Sequence, residues 1–179
     1  MHLLYATRDG QSRRIAERLA RGLAAQGVTA EPADLALAQP SLSSFDPAEP
    51  IIVVAAVRYG KHLAEAEQFL THYKVLTVPP PLVLLSVNLT ARKPGKDTAE
   101  GNVYLRKAIK RHGLKPALAA AIAGRLDYAR YSWLDRQMIR FIMVLTGGPT
   151  DPHTNIEYTD WDKLDALAAR IAQRVGATA

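Results

Sequence analysis

Six consecutive residues near the start of the chain, Thr7-Arg8-Asp9-Gly10-Gln11-Ser12, bring two hydroxyls and a glycine into one short turn. They follow a brief apolar run and precede a segment with helical spacing. Hydroxyls at both ends, a glycine inside and free amides at a helix start can cradle a phosphate. An ordinary capped turn uses the same residues, and the string alone does not separate the two. Three other phosphate chemistries do not fit. A Walker loop ends Gly-Lys-Ser/Thr, which is absent, and a dinucleotide fingerprint needs three spaced glycines where Gly10 stands alone. A phosphoacceptor domain would place Asp at the end of the third strand, where Val57-Arg58 stands.

Composition removes further chemistries. There is no cysteine, so disulfides, thiolate metal sites and iron–sulfur clusters are excluded. The five histidines are His2, His62, His72, His112 and His153. No two of them pair at i and i+4, and no carboxylate cluster joins them, so a metal site is not expected. Ser86 lacks the flanking glycines of a nucleophile elbow, which argues against a serine hydrolase. No residue stands out as a general base. His62, close to the loop after the third strand, is the one histidine placed for proton transfer. The net charge is +6, yet residues 92–140 alone hold twelve Lys or Arg against four Asp or Glu. Charge gathered over one third of the chain suits an anionic partner: nucleic acid, an acidic membrane surface or a carboxylate ligand. A solubilising surface is the plainer reading.

The elements that must position these residues follow from periodicity. Residues 2–6 form a short apolar strand. Ile15, Ala16, Leu19, Ala20 and Leu23 then repeat with helical spacing until Gly27. Residues 28–34 read as an edge strand, because Pro32 sits poorly in a central one. Residues 51–57 are continuous and β-branched, as a strand buried on both faces requires. A helix is expected over 61–75, a strand over 82–87, a basic helix over 101–112, a strand over 117–123 and a closing helix over 161–175. Strand and helix thus alternate about five times, which predicts an α/β domain with a parallel sheet and helices on both faces. Ligands of such sheets bind beyond the carboxyl ends of the strands, so the loops 7–12, 58–62 and 88–95 are the ones to inspect. The 179 residues suit one domain spanning 1–179. The only oversized connection is an insertion of about 125–150. No run of eighteen apolar residues occurs, so no spanning helix is expected. Met1-His2-Leu3-Leu4-Tyr5-Ala6 leads straight into a strand, which predicts no signal peptide and a cytoplasmic address.

The loop resembles the Thr-x-x-Gly-x-Ser/Thr phosphate loop of flavodoxins. Five further strings occur in order: Val57-Arg58-Tyr59-Gly60; Ser86-Val87-Asn88-Leu89-Thr90-Ala91-Arg92-Lys93-Pro94; Arg130-Tyr131-Ser132-Trp133 with Asp135-Arg136; Gly147-Gly148; and Tyr158-Thr159-Asp160-Trp161. Together they resemble the quinone-dependent protoporphyrinogen IX dehydrogenase family, long-chain flavodoxin relatives of haem biosynthesis. The resemblance covers essentially the whole chain, and the Ser-Val-Asn-Leu-x-Ala-Arg-Lys-Pro string is its most specific part. It implies a flavodoxin-like fold with five parallel strands ordered 2-1-3-4-5 and a long insertion at the fifth strand. It implies FMN as cofactor, protoporphyrinogen IX as substrate, and menaquinone or ubiquinone as electron acceptor. Thr7, Arg8, Asp9, Gly10, Gln11 and Ser12 would hold the phosphate. Arg58, Tyr59, Gly60, Ser86, Val87, Asn88, Leu89, Thr90 and Ala91 would line the ring. Tyr59 is suited to stacking and Arg58 to the charge of the reduced ring. The Asn88 side chain, or backbone groups of residues 86–91, can read the pyrimidine edge. Arg92, Arg125, Tyr128, Arg130, Tyr131, Trp133, Arg136 and Arg140 are the candidates for an apolar macrocycle with two propionates.

Within the insertion, residues 133–145 read as an amphipathic helix. Leu134, Met138, Phe141, Ile142 and Leu145 gather on one side, and Arg136, Gln137 and Arg140 on the other, with Trp133 and Val144 beside them. Such a helix fits an anionic membrane surface, which would make the protein peripheral on the inner face of the cell membrane. A helix packed on its own domain has the same pattern. No nucleic-acid partner is expected, and a homo-oligomer is left open. The rival functions are a flavodoxin-type FMN electron carrier or quinone reductase, and a module that kept the fold without the flavin. Carriers of that type are usually acidic, whereas this chain is basic.

Overall fold

The structure, a computed structural model, describes residues 1–41 and 45–176, except for the side chains of 145, 146, 175 and 176. Its centre is β3 (Ile51–Arg58), whose first five side chains are completely buried. A strand reading Ile-Ile-Val-Val-Ala has no polar alternate and must be covered on both sides. Around it the parallel sheet runs β2 (Pro32–Asp34), β1 (His2–Ala6), β3, β5 (Leu82–Val87) and β6 (Leu118–Ile122). Counted over these five main strands, the order is the expected 2-1-3-4-5. The edge strand is shorter than its sequence signal, beginning only at Pro32.

Alternation along the strands divides the core into two layers. Leu3, Tyr5, Ile52, Val54, Val83 and Leu85 face α1 (Gln11–Ala24) and α5 (Trp161–Gly176). Leu4, Ala6, Ile51, Val53, Leu82 and Leu84 face α2 (Ala64–Tyr73) and α3 (Val103–His112). Helix α1 lies very close to α5: a Cβ on Gly22 would stand 2.7 Å from the Cβ of Ala168. Asn102 starts α3 by accepting from the amides of Tyr104 and Leu105, each at 3.2 Å.

Two regions depart from the expected elements. The helix expected over 61–75 begins only at Ala64. Before it, β4 (Lys61–His62) folds back antiparallel on the end of β3, pairing His62 with Val57 and Lys61 with Arg58. The two-residue turn between them is Tyr59-Gly60, with φ of 52° and 78°. Turns of this length that match strand twist require left-handed backbone, so Tyr59 accepts a conformation that non-glycine residues rarely take.

The second departure is the insertion. It closes on itself through β7 (Arg125–Asp127) and β8 (Asn155–Glu157), an antiparallel pair that joins Leu126 to Ile156. It therefore extends to residue 157, past the expected end near 150. Between these strands lie a 3₁₀ turn (Tyr128–Arg130) and α4 (Trp133–Thr146). Leu126, Tyr128, Tyr131 and Met143 form a small core of its own, joined by Leu89, Ile139 and Tyr158.

Candidate active site

The carboxyl ends of β1, β3 and β5 open on one pocket, and the insertion forms its far wall. This is where an open parallel sheet changes winding direction and where ligands of such sheets bind. The loop 7–12 makes one side. Thr7 Oγ1 accepts from the Gly10 amide at 3.0 Å, and Gly10 takes φ +85° just before α1 begins. No side chain caps that helix start. Ser12 is completely buried, and its Oγ has no hydrogen-bond partner among the described residues. An uncapped helix start beside a buried, unused hydroxyl has the donors to receive an anion.

A charged cluster links this loop to its neighbours. Arg58 Nη2 donates to Asp9 Oδ2 at 2.7 Å, and Arg58 Nη1 lies 3.8 Å from Asp135 Oδ1 in the first turn of α4. The same guanidinium sits 5.3 Å from the Tyr131 ring centroid. Tyr59 donates its hydroxyl to Asp135, and Arg130 Nη1 donates to the Asp9 carbonyl at 2.7 Å. Ser132 caps α4, accepting from the Asp135 amide at 3.2 Å. Burial raises the pKa of Asp9, with Arg58 opposing the rise. The hydrogen bond from Tyr59 lowers the pKa of Asp135. Arg58 is thus engaged by two carboxylates.

On the β5 side, a 3₁₀ turn (Leu89–Arg92) follows Asn88. The Asn88 side chain is fully engaged inside the protein. Its Oδ1 accepts from the Ala91 amide at 3.1 Å and from Asn102 Nδ2 at 3.0 Å, while Nδ2 donates to Ser86 Oγ at 3.1 Å. Arg92 donates to the Leu89 carbonyl at 2.7 Å and lies 5.6 Å from the Tyr158 ring centroid.

A model of the flavodoxin domain matches residues 2–153. The protoporphyrinogen IX dehydrogenase [quinone] of Escherichia coli strain K12 is 37% identical over 171 residues, covering 95% of this chain and 93% of that protein. The chain belongs to the quinone-dependent protoporphyrinogen IX dehydrogenase family of flavodoxin-domain enzymes. Its Leishmania major relative of the same name is 36% identical over 172 residues, 95% of this chain and 73% of that protein. The fold is also similar to that of oxidised flavodoxin 1 from Bacillus cereus, with a TM-score of 0.52 at 11% identity, covering 96% of both chains.

In this flavodoxin-domain oxidoreductase, most residues expected at the site do meet. Thr7, Arg8, Asp9, Gln11, Ser12, Arg58, Tyr59, Gly60, Val87, Asn88, Leu89, Thr90, Arg92, Arg125, Arg130 and Tyr131 all line the pocket. Gly10 shapes the loop behind them. Ser86 and Ala91 lie underneath, buried, and do not reach it. Four residues expected there on the insertion lie outside the pocket lining. Tyr128 is completely buried in the insertion core, where its hydroxyl donates to the Pro149 carbonyl at 2.9 Å, so it does not face a ligand. Trp133 points outward and is 69% exposed. Arg136 and Arg140 lie on α4 outside the pocket lining, because the face of α4 turned inward carries Ile139 and Met143. Sequence reasoning missed Asp135, Asp127, Ile139, Met143 and Tyr104, all of which line the pocket. Asp135 had a legible signal, since it stands three residues after a capping serine at a helix start.

Proposed function

We propose that this enzyme holds FMN between the loop 7–12 and the turns at 59–60 and 88–92, and oxidises protoporphyrinogen IX with a membrane quinone as acceptor. The residues fit the cofactor. The buried Ser12 hydroxyl, the Thr7 to Gly10 turn and the uncapped start of α1 offer donors for a phosphate dianion. When bound, FMN supplies the electron-accepting chemistry, and the protein supplies binding, orientation and electrostatics.

The observation that carries the substrate assignment is the composition of the far wall. Met138, Ile139, Ile142 and Met143 present an apolar surface beside the flavin end of the pocket, and Arg92, Arg125 and Arg130 stand at its edges. An apolar macrocycle with two propionates matches a wall of that kind. Identity of 37% with the E. coli enzyme over nearly the whole chain supports the same reading.

The outer side of α4 supports attachment to a membrane. Leu134, Phe141 and Val144 are 70%, 63% and 66% exposed, with Trp133 at the helix start beside them. Leu145, placed on this face by the helical spacing, has its side chain outside the described residues. Among the described residues, no helix is long and apolar enough to cross a membrane. Burying such side chains in a bilayer interface contributes about 1.5–3 kcal/mol each at full burial, and each nearby cation adds about 1 kcal/mol on an anionic surface.

The test is anaerobic oxidation of protoporphyrinogen IX by the purified yellow protein, with ubiquinone or menaquinone analogues, followed by porphyrin fluorescence. A second protein would replace residues 128–154 with a two-residue turn joining β7 to β8. It is expected to fold, to keep FMN, and to lose both porphyrinogen oxidation and sedimentation with anionic vesicles. A colourless wild-type protein overturns the cofactor assignment. A shortened protein that keeps full porphyrinogen activity overturns the role of the insertion. A wild type that reduces quinone from a small reductant but leaves porphyrinogen untouched is a quinone reductase.

A further inference from the structure

Beneath the pocket floor, polar side chains are buried among aliphatic ones. His62 is 4% exposed, and its Nε2 lies 2.8 Å from the Oγ of Ser86, which is completely buried. Asn88 Nδ2 donates to that same Oγ at 3.1 Å. On the other side of the imidazole, Nδ1 faces Glu67 Oε1 at 3.8 Å. Glu67 Oε2 accepts from Arg111 Nη1 at 2.8 Å and lies 2.9 Å from His112 Nε2. The nearer oxygen, Oε1, is buried and accepts no hydrogen bond.

Two roles suit such a row of groups. As a proton relay it would run from Glu67, which is partly exposed, through His62 to Ser86. That route ends at Asn88, a carboxamide bonded at both ends, and neither His62 nor Ser86 lines the pocket. A carboxamide does not hand a proton on, so transport is not what the geometry supports. Holding is. His62 is the last residue of β4 and stands at the foot of the hairpin whose turn is Tyr59-Gly60. Ser86 and Asn88 lead into the 3₁₀ turn (Leu89–Arg92). One imidazole therefore joins the two loops that flank the pocket.

We propose that His62 is a positioning residue for the cofactor pocket. By accepting at Nε2 it turns the Ser86 hydroxyl towards itself, leaves Ser86 Oγ to accept from Asn88, and so sets the turn 89–92 against the hairpin 57–62. The inference rests on reading the pocket as the flavin site. The charge state agrees. Burial lowers the pKa of His62 to about 4, with Glu67 opposing and Arg111 and His112 reinforcing. Those three are the ionisable groups that face the ring from α2 and α3. Val57 and Ser86 face it from β3 and β5, and Lys61 beside it on β4 is exposed. An uncharged imidazole can accept at Nε2, whereas the charged form cannot.

The test titrates FMN into purified apo-protein and follows flavin fluorescence quenching and the visible spectrum. His62→Leu and Ser86→Ala are expected to weaken FMN binding by about tenfold, the order seen when a partner supporting a site is removed. His62→Gln, whose side-chain oxygen can accept from Ser86, is expected to recover most of that loss. Leu167→Ala on α5, in the opposite core layer, serves as a control for a general loss of stability. It is expected to lower the melting temperature without weakening FMN binding. If His62→Leu does not fold, Ser86→Ala carries the test, since it removes a single oxygen. Three outcomes overturn the role: full FMN affinity in both variants, an equal loss in Leu167→Ala, or no recovery in His62→Gln. A wild-type protein that binds no FMN overturns the flavin reading itself, and this role with it.

Discussion

The two walls of the pocket are held by different forces. The wall made by the strand ends rests on buried hydrogen bonds: His62, Ser86, Asn88 and Asn102 are each under a tenth exposed and bonded to one another in sequence. The wall made by the insertion rests on ion pairs at the pocket edge and a core of four buried side chains, while its longest helix turns an apolar face outward. A buried polar group that loses its partner costs about 1–3 kcal/mol, so the first wall resists displacement. A partly exposed ion pair is worth about 0–1 kcal/mol, so the second can shift at little cost. The rigid wall is suited to a cofactor that must be placed once. The adjustable wall is suited to a bulky substrate that must come and go.

The largest expected effect strikes the rigid wall at the loop 7–12. Gly10 has φ +85°, and a new Cβ there would meet only Arg130 Nη1, at 3.9 Å. Space is therefore not the obstacle, and backbone conformation is. Gly10→Val places a β-branched residue in the left-handed region, a strain of about 1–3 kcal/mol that the loop relieves by moving its amides. The variant is expected to lose FMN completely on gel filtration while keeping the circular dichroism of the folded domain. A Gly10→Val protein that elutes yellow would place the phosphate elsewhere.

A smaller effect follows from His62 and separates the walls by pH. The folded-state pKa is about 4, below the ordinary value of 6.5. Between those values the unfolded chain takes up a proton at this site and the folded chain does not. Stability is thus fully present above pH 6.5 and is lost as the pH falls towards 4, by on the order of 3 kcal/mol in all. Glu67 and Asp135 have lowered pKa values and lose their contributions at lower pH, below the usual carboxylate values. Asp9, whose pKa burial raises, changes stability with the opposite sign, so a loss of stability on acidification from pH 6.5 to 5 reports the imidazole. Urea unfolding at half-unit steps of pH measures it, with His62→Gln expected to flatten the slope. An equal slope in that variant assigns the effect to another group.

What was legible in the chain tracks how local the cause is. The β-branched run of β3 and the helical spacing in α1 announce themselves, because burial on both faces or on one stripe is written into neighbouring residues. The loop 7–12 is legible for the same reason. The bond between His62 and Ser86 is not, because it depends on the register of two strands and on a hairpin that helical spacing over 61–75 conceals. Pairing of β7 with β8 is hidden by the 30-position separation of Arg125 and Asn155, and by strands of three residues each. Tyr128, an aromatic among arginines, reads as a ligand contact. Its neighbours Leu126 and Met143 make it core instead.

The smallest expected effect tests the adjustable wall. Asp135→Asn removes the carboxylate charge that Arg58 meets across 3.8 Å, but leaves Arg58 paired with Asp9 at 2.7 Å. Asparagine keeps an oxygen for the Tyr59 hydroxyl, and the capping bond from the Asp135 amide to Ser132 does not involve the side chain. What is lost is one ion pair at the pocket edge and the bond that Oδ2 accepts from Ser132 Oγ at 2.8 Å, together worth about 1 kcal/mol. The melting temperature is therefore expected to fall by no more than a few degrees, since about 1 kcal/mol moves a domain of this size by about 2–4 °C. FMN affinity is expected to stay within about twofold of wild type, because a cost below about 0.4 kcal/mol at the cofactor is all that a shifted far wall transmits. The rate with an anionic substrate is where the change should appear. With one carboxylate gone, the pocket edge is more positive, and KM for porphyrinogen is expected to drop, most clearly at low salt, where exposed charges are screened least. A variant that loses its flavin as completely as Gly10→Val would show the opposite arrangement: the insertion, and not the strand ends, would then carry the cofactor site.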